Sequence, residues 1–266
     1  MDSQKITALA IKRHDLDASH FQQAYKQEGN NEEQTNREAV FLYGRKLVLD
    51  ELVILLNTLP AGSRILDVGC GTAHLTQWIK SKGFEVYGIE PSLEMYNYAK
   101  INFPDIEIKQ AISSKIPYPD NYFDLVVSFE VLRYLDKTEN IRTYKEFHRV
   151  LKTDGRFFLT QVNLFATDFY YIFHALKSVY CKLTNKVHHH CNFTTAGREE
   201  SLVKDAGFSQ VNTIGRFIAS NRFFYKFGKR IGKWYSSLME KIFGDQRFTH
   251  SFYKNLTGHL IVIGKK

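Results

Sequence analysis

From residue 37 onward, the hydrophobic and polar positions of the chain alternate between helix-like and strand-like patterns. Apolar residues recur at helical spacing over 37–59, and the turn signal at 60–62 (PAG) ends that helix. Short apolar runs then alternate with helical segments, and the runs read RILDV, FEVYGIE, IEIKQ, FDLVVSF and GRFFLTQV. Strands that are apolar on both faces and separated by helices are typical of a parallel sheet covered on both sides. The pattern therefore predicts a doubly wound α/β fold.

The length and the order of the patterns predict one domain. With 266 residues, of which 44% are hydrophobic, the chain is long enough to bury a full core. We expect residues 1–266 to form a single unit that consists of an N-terminal helical or lid segment over 1–60 and a cofactor-binding core over 61–163. Two looser regions, 164–196 and 217–255, interrupt the later part of the chain, and we expect them to be inserted lid regions.

The remaining composition suggests a cytoplasmic protein with free thiols. No apolar run reaches the roughly 18 residues of a membrane span, and the N-terminal residues lack the apolar core of a signal peptide. The three cysteines, Cys70, Cys181 and Cys191, are odd in number and widely scattered. Such an arrangement does not fit a disulfide framework.

The stretch ILDVGCGTAHL at residues 65–75 contains the chemistry that says most about a ligand. It places a glycine turn at the end of a buried strand, immediately before a helix. In open parallel sheets, ligands bind beyond the carboxyl ends of the strands. Gly69 and Gly71 allow the backbone to approach a ligand closely, and the N–H groups that open the helix can receive an anionic group.

Three residues around this turn favour S-adenosylmethionine (SAM) over a dinucleotide. His74 stands where a dinucleotide fingerprint has its third glycine. Asp67 would repel a diphosphate but attract an ammonium group. Glu90 ends the next strand, where an acid accepts hydrogen bonds from both ribose hydroxyls. A nucleoside joined to a cationic amino acid describes SAM.

At this point the chain resembles the class I SAM-dependent methyltransferases, in particular those that act on small molecules. The resemblance rests on five segments in family order: ILDVGCGT, the acid in VYGIEPS, IPYPDNYFDLVVS, HRVLKTDGRFFL and FTTAGREESLVKDAGF. It spans roughly residues 64–208. It implies a mostly parallel, seven-stranded Rossmann-like sheet with helical lid insertions, SAM as the cofactor and methyl transfer as the activity.

The resemblance also assigns cofactor contacts to individual positions. It places Asp67, Gly69, Cys70 and Gly71 around the methionyl part, Glu90 on the ribose and Met95 near the adenine. Phe129 would lie against the cofactor, and Tyr25 would reach the methionyl carboxylate. Ile112 occupies the place of an acid that usually holds the adenine amine. Apolar packing and the backbone of Ser113 would then have to replace that hydrogen bond.

The sequence contains few candidates for a catalytic or metal-binding side chain. Methyl transfer depends largely on alignment of the reacting atoms, but a hydroxyl or carbon acceptor also needs a base for its proton. Tyr134, which should face the substrate, is the candidate base, although it could equally shape the pocket. The HHHC run at 188–191 suits zinc by residue type, but no second pair at ligand spacing accompanies it, so we predict no metal site.

Basic residues are concentrated near the C-terminal end. The net charge is +8, and residues 222–241 contain six Lys or Arg residues against one Glu. In residues 222–243 a basic stripe runs beside an apolar stripe, which fits either an ordinary lid or peripheral contact with an anionic membrane or lipid. No nucleic-acid module is recognisable, so we expect no nucleic-acid partner.

Together these observations predict a SAM-dependent methyltransferase that acts on a small, apolar or aromatic acceptor by O- or C-methylation. Two alternatives remain open in the sequence. An NAD(P)-dependent oxidoreductase would share the fold, although Asp67 and His74 disfavour it. A SAM-binding module without catalysis would be compatible with Ile112. The sequence does not indicate an oligomeric state.

Overall fold

The computed structural model describes residues 3–26, 35–167, 170–184, 186, 188, 190–218, 220–244, 247–249 and 252–266. The strands are β1 (Arg64–Val68), β2 (Glu85–Ile89), β3 (Glu107–Lys109), β4 (Phe123–Ser128), β5 (Leu151–Asn163), β6 (Phe193–Thr194), β7 (Ser209–Ile218) and β8 (Thr257–Lys265). The helices are α1 (Ser3–Lys26), α2 (Asn36–Leu56), α3 (His74–Lys80), α4 (Leu93–Asn102), α5 (Lys137–Val150), α6 (Tyr170–Leu183), α7 (Ala196–Asp205), α8 (Asn221–Lys226) and α9 (Lys229–Phe243). Two short 3-10 turns cover Leu132–Tyr134 and Phe252–Leu256.

The strands form a single doubly wound sheet in the order β3-β2-β1-β4-β5-β8-β7. Neighbours from β3 to β5 pair in parallel, whereas β8 pairs antiparallel with both β5 and β7. The two-residue strand β6 pairs with β5 beside this path. The predicted seven-stranded, mostly parallel sheet is therefore confirmed, with one short additional strand.

The path of the chain creates a crevice between β1 and β4. From β1 the chain moves outward through β2 to β3 and then returns to place β4 on the opposite side of β1. At such a switch point the connections after the two strands diverge to opposite faces, which opens the sheet edge to a ligand. The glycine turn lies at the carboxyl end of β1 and therefore at this opening.

Alternating side chains of the central strands build a core on each face of the sheet. Ile65 of β1 packs with α2 and α3 on one face, and the next residue, Leu66, packs with α5 on the other. Both side chains are fully buried, as are Tyr144 and Phe147 of α5. This continuous burial fixes the register of β1 and hence the position of the residues that follow it.

The segments outside the core differ in part from the sequence prediction. Residues 222–243 were expected as one amphipathic stretch, but Gly228, at φ +132°, divides them between α8 and α9. The helix over 37–59 is confirmed as α2, with a capping box between Thr35 and Glu38. The proposed division of the chain into core and lid regions stays a prediction. Within the described residues, no helix combines the length and hydropathy needed to cross a membrane.

Candidate functional site

One pocket lies at the carboxyl ends of β1, β2 and β4, beneath α1. All the predicted cofactor residues except Tyr25 line it: Asp67, Gly69, Cys70, Gly71, Glu90, Met95, Ile112, Ser113 and Phe129. Tyr134, the candidate base, lines the same pocket. Tyr25 belongs to α1, but its side chain lies outside the described residues. The structure thus brings together residues from four separate segments, while their individual roles stay predictions.

The glycine turn is shaped by close contacts that only glycine tolerates. Gly69 has φ +72°, and a Cβ added there would lie 2.3 Å from Cγ2 of Val131. The N–H groups of Gly69 and Cys70 both donate to the Ile89 carbonyl oxygen, at 2.8 and 3.0 Å. The backbone of the turn is therefore held against the end of β2, and its surface faces the pocket without side-chain interference.

Glu90 stabilises the same turn from the end of β2. Its Oε2 accepts a hydrogen bond from the Gly71 N–H at 2.8 Å, and its Oε1 accepts one from the Ser92 N–H at 2.8 Å. Burial raises the pKa of Glu90 to about 7, against the effect of these two donors. Each carboxylate oxygen can accept more than one hydrogen bond, so the group can also receive ribose hydroxyls.

Asp67 is a buried carboxyl group with the chemistry expected for an ammonium partner. Its side chain is 2% exposed, and Thr76 Oγ1 donates to its Oδ2 at 2.7 Å. Burial raises the pKa of Asp67 to about 7. A cation beside this carboxylate would compensate the cost of its desolvation. The donor set of the pocket, two buried acids on either side of a bare glycine turn, therefore fits SAM.

Helix α1, within the predicted N-terminal helical or lid segment, covers the pocket, but its lining residues were not predicted from the sequence. Thr7, Ala10, Ile11 and His14 of α1 line the pocket together with Phe41 and Arg45 of α2. Two hydrogen bonds anchor α1: Ser3 Oγ donates to Asp136 Oδ2 at 2.5 Å, and Ser92 Oγ donates to Asp15 Oδ1 at 2.5 Å. The recurrence of Ile6, Ala10 and His14 at a spacing of four residues was the available signal.

At the end of β4, charged residues of the pocket form a second network. Arg133 donates to Glu130 Oε2 at 2.5 Å and to Tyr170 Oη at 2.9 Å, and His259 Nδ1 lies 3.5 Å from Glu130 Oε1. Burial opposes ionisation of Glu130, but Arg133 and His259 outweigh it and hold its pKa well below its ordinary value. Glu130 is therefore an anion, whereas at Asp67 the effect of burial is larger than the opposing effects of Thr76 and Arg45.

Two rings of the pocket face each other. The rings of Tyr134 and His14 meet edge to face with centroids 4.6 Å apart. Burial raises the pKa of Tyr134, so its phenol stays protonated near neutral pH. His14 Nδ1 lies 2.8 Å from the Ala10 carbonyl oxygen, which can only accept, so Nδ1 carries the proton.

Several features singled out in the sequence lie away from this pocket. None of the described aromatic residues of 164–183, which belong to the first predicted lid region, lines it. Among the described residues, no group of three or more His, Cys, Asp or Glu is arranged to hold a metal ion. Cys70, Cys181 and Cys191 are free and buried.

The fold and the site together define an α/β protein with a pocket at the carboxyl ends of its parallel strands, and comparisons with known proteins show what it is similar to. Residues 66–159 match the family model described as "Methyltransferase domain". The putative methyltransferase YqeM of Bacillus subtilis is 36% identical over 104 residues, which are 37% of this chain and 42% of the relative. The demethylmenaquinone methyltransferase of Chlorobaculum parvum is 37% identical over 94 residues, 35% of this chain and 38% of the relative. The matched segment thus spans about two-fifths of these relatives.

The comparison of folds extends over most of the chain. A SAM-dependent methyltransferase of Thermotoga maritima, described as a possible histamine N-methyltransferase, superposes with a TM-score of 0.57. The superposition covers 85% of this chain and 92% of that protein at 19% identity, and it therefore concerns the fold alone. These similarities support a methyltransferase domain of the SAM-dependent class over residues 66–159.

Proposed function

We propose that this protein transfers the methyl group of SAM to a small, apolar or aromatic acceptor through O- or C-methylation. The observation that carries the proposal is the pair of buried acids, Asp67 and Glu90, on either side of the glycine turn in one pocket. SAM supplies the electrophilic methyl group when it is bound. The pocket residues hold its two ends and exclude water from the reacting atoms.

Asp67 is assigned to the amino acid end of SAM and Glu90 to its ribose. The buried Asp67 carboxylate would pair with the ammonium group, and charge-assisted hydrogen bonds of this kind are among the stronger polar contacts in proteins. The same carboxylate disfavours the diphosphate of NAD(P), which supports a methyltransferase over the oxidoreductase alternative. Arg45 also lines the pocket.

Glu139 is our candidate for the acid that Ile112 does not provide. Glu139 is 5% exposed and lines the pocket together with Ile112 and Ser113. The hydrogen bond between Ser113 Oγ and Thr143 Oγ1, at 2.9 Å, ties the 111–114 segment to the helix that carries Glu139. We propose that Glu139 accepts the adenine amine. A Glu139→Leu variant should then lose the preference for adenosine over inosine, whereas retained preference contradicts this role.

The acceptor side of the pocket is apolar around the two facing rings. Ala10, Ile11, Phe41, Val131 and Leu135 line it, which supports an apolar acceptor. The name of the Chlorobaculum parvum relative points in the same direction, since a menaquinone is an apolar ring compound. Elsewhere in the family the acceptor differs, so the fold does not determine it.

We propose His14 as the group that receives the acceptor's proton. A neutral imidazole with its proton on Nδ1 presents Nε2 as a proton acceptor, and His14 is held in that tautomer by Ala10. Tyr134, which the sequence suggested as the base, is protonated near neutral pH and is better suited to orient the acceptor by donating a hydrogen bond. The pH profiles of kcat for His14→Gln and Tyr134→Phe separate these roles. Only His14→Gln should lose the fall of kcat at acidic pH.

The first experiment is a calorimetric titration with SAM, S-adenosylhomocysteine and NADH, followed by methyl transfer from labelled SAM to a panel of phenols, quinols and acidic carbon compounds. Binding of the first two ligands with transfer to a panel member supports the proposal. Binding of NADH alone contradicts it. Binding of SAM without transfer to any acceptor supports the alternative of a SAM-binding module.

Glu90→Ala provides a sharper test of orientation. It should weaken SAM and adenosine by similar factors and methionine by less, because the carboxylate is assigned to the ribose and reaches the methionyl end only through the Gly71 N–H. Weaker binding of methionine instead would contradict the orientation of the cofactor. Glu90→Gln is the matched control, since it keeps a hydrogen-bond acceptor and the shape of the side chain.

A further inference from the structure

Helix α6 exposes its apolar face to solvent. Seven large apolar side chains on its fourteen residues are between 47% and 80% exposed: Tyr171, Ile172, Phe173, Leu176, Val179, Tyr180 and Leu183. Ile172, Leu176, Val179 and Leu183 follow one another at helical spacing and so share one side of the helix. Cys181, on the other side, is buried. An exposed apolar helix face of this size is typical of a binding surface.

Helices α8 and α9 form a hairpin with a similar exposed side. Their inner sides are closely packed: a Cβ added at Gly232 would lie 2.3 Å from the Tyr225 ring, and Ser236 Oγ donates to Asn221 Oδ1 at 3.1 Å. The outer side carries four apolar residues that are between 44% and 62% exposed: Phe223, Phe227, Ile231 and Trp234. The hairpin is thus held from within, and its outer apolar residues take no part in that packing.

The two exposed apolar regions meet at the contact between α6 and α8. Lys226 Nζ lies 5.2 Å from the centroid of the Phe173 ring, and Arg222 Cζ lies 5.4 Å from that of Tyr170. Distances of this order are typical of cation–π contacts. The exposed apolar residues of α6, α8 and α9 and the lysines and arginines among them therefore form one surface, which we name the docking surface.

The charge of the docking surface has one sign. The sequence contains no Asp or Glu at 169–198 or at 206–239. The same stretches supply the basic residues Lys177, Lys182, Lys186, Arg222, Lys226, Lys229, Arg230 and Lys233. A basic surface with central apolar side chains matches a layer that is anionic outside and apolar beneath. Long basic side chains can extend to phosphate groups while the apolar ones enter the acyl region.

We propose that the docking surface binds the face of an anionic phospholipid bilayer. A second copy of this chain would bring like charges together, which opposes association through the same surface. An anionic bilayer can bury the apolar side chains in its acyl region and pair the cationic ones with its phosphate groups. The surface is also connected to the pocket, because Tyr170 contacts both Arg222 and the Arg133 that pairs with Glu130. Docking does not depend on the proposed methyl transfer.

Co-sedimentation with phosphatidylglycerol–phosphatidylcholine vesicles tests the proposal. The full chain should bind these vesicles, bind pure phosphatidylcholine weakly, and lose affinity as the salt concentration rises from about 0.1 to about 0.5 M, because salt screens charges at the surface. Lys226→Glu, Lys229→Glu and Lys233→Glu together should lower the partition coefficient at least about tenfold. Equal sedimentation of the parent chain and this triple variant overturns the proposal.

A matched control separates the surface from net charge. Lys82, Lys100 and Lys115 are exposed lysines outside the docking surface, and their joint replacement by glutamate changes the net charge by the same amount. We expect at most about a twofold loss of binding for that variant. If both triple variants lose binding equally, the attraction is a property of overall charge, and the docking surface is refuted.

The apolar part of the surface needs a separate variant. Leu176→Ser, Val179→Ser and Leu183→Ser together remove exposed side chains, so the fold should be retained, and binding to anionic vesicles should fall at least about fivefold. In a Trp78→Phe background, the fluorescence of Trp234 should shift to the blue on vesicle binding. Light scattering that shows a dimer in the parent chain and a monomer in the serine variant would instead identify a second copy as the partner. All variants should bind SAM as the parent does, so failure of docking and failure of the methyltransferase assignment are distinguishable.

Discussion

The cofactor pocket and the docking surface use charged and apolar residues in opposite ways. In the pocket, two carboxyl groups are buried at the ends of strands whose apolar side chains are fully covered. On α6 and the α8–α9 hairpin, apolar side chains are exposed beside lysines and arginines. The buried carboxyl groups of the pocket destabilise the free protein, and a small cation could pair with them. The helices α6, α8 and α9 leave apolar area exposed to solvent, and only a large partner surface could cover it.

The two regions depend on different interactions and should therefore respond to different changes. Variants in the pocket should alter SAM binding and the stability of the sheet edge. Variants in the hairpin should alter local stability and vesicle binding without changing SAM affinity. The following predictions test this separation, beginning with the largest expected effect.

Gly69→Ala should destabilise the protein most. A left-handed backbone costs about 1–2 kcal/mol for a residue with a Cβ, and overpacking against Val131 adds about 1–3 kcal/mol. Urea denaturation should therefore show a loss of about 2–5 kcal/mol in the free energy of unfolding. The matched control is Gly83→Ala, whose φ is +92° but whose Cβ would have no neighbour within 4 Å, so it should show only the backbone cost. Equal losses in both variants would show that the contact with Val131 is unimportant.

Asp67→Ala should cause the largest loss of SAM affinity. Removal of a buried charged partner costs about 1.5–3 kcal/mol, which corresponds to roughly 10- to 150-fold in Kd. The buried carboxyl group is poorly solvated in the free protein, so its removal should cost little stability. The melting temperature of the variant should therefore fall much less than its affinity for SAM. Calorimetry and thermal denaturation check both parts. Unchanged affinity for SAM would remove Asp67 from the site.

Gly232→Ala should disrupt the hairpin while the pocket stays intact. The added Cβ would clash with the Tyr225 ring, at a cost of about 1–3 kcal/mol. We expect faster hydrogen exchange in α8 and α9 and unchanged affinity for SAM. Gly197→Ala in α7 is the control, since its Cβ would have nothing within 4 Å. A loss of SAM affinity in Gly232→Ala alone would show that the two regions are coupled.

SAM affinity should fall as the pH falls below about 7. Burial raises the pKa of Asp67 from 3.8 to about 7, so at lower pH the free protein holds a proton that the ammonium must displace. Protonation of this single carboxyl group should make SAM binding about tenfold weaker at pH 5.5 than at pH 7. The same shift makes the free protein less stable as the pH rises from about 4 to about 7, because the unfolded chain has released that proton. Asp67→Asn should remove most of this dependence of Kd on pH.

The sheet and most of its site could be predicted from the sequence because their signals are local. The limits of β1 were predicted without error, since an apolar run between turn residues allows few alternatives. Asp67, Gly69 and Glu90 follow directly from strand ends, so a correct strand assignment also placed these residues at one sheet edge. The short strand β6 was missed because two residues do not produce a period.

The cover of the pocket and the orientation of α6 could not be predicted because tertiary contacts decide them. His14 and Thr7 reach the pocket only because α1 is anchored at Asp136 and Ser92, far away in sequence. The apolar pattern of α6 is the same whether that face points to the sheet or to solvent, so periodicity alone suggested a lid over an acceptor. The break at Gly228 depends on a backbone angle that glycine allows but does not require.

The anchoring of α1 has a consequence for the rate of turnover. Side-chain hydrogen bonds at Ser3 and at Asp15 hold the helix across the pocket, whereas the sheet beneath it is held by a continuous core. Exchange of spent for fresh cofactor then requires a local opening of this helix and no disturbance of the strands. Where that opening is slower than the chemical step, it limits the rate of turnover.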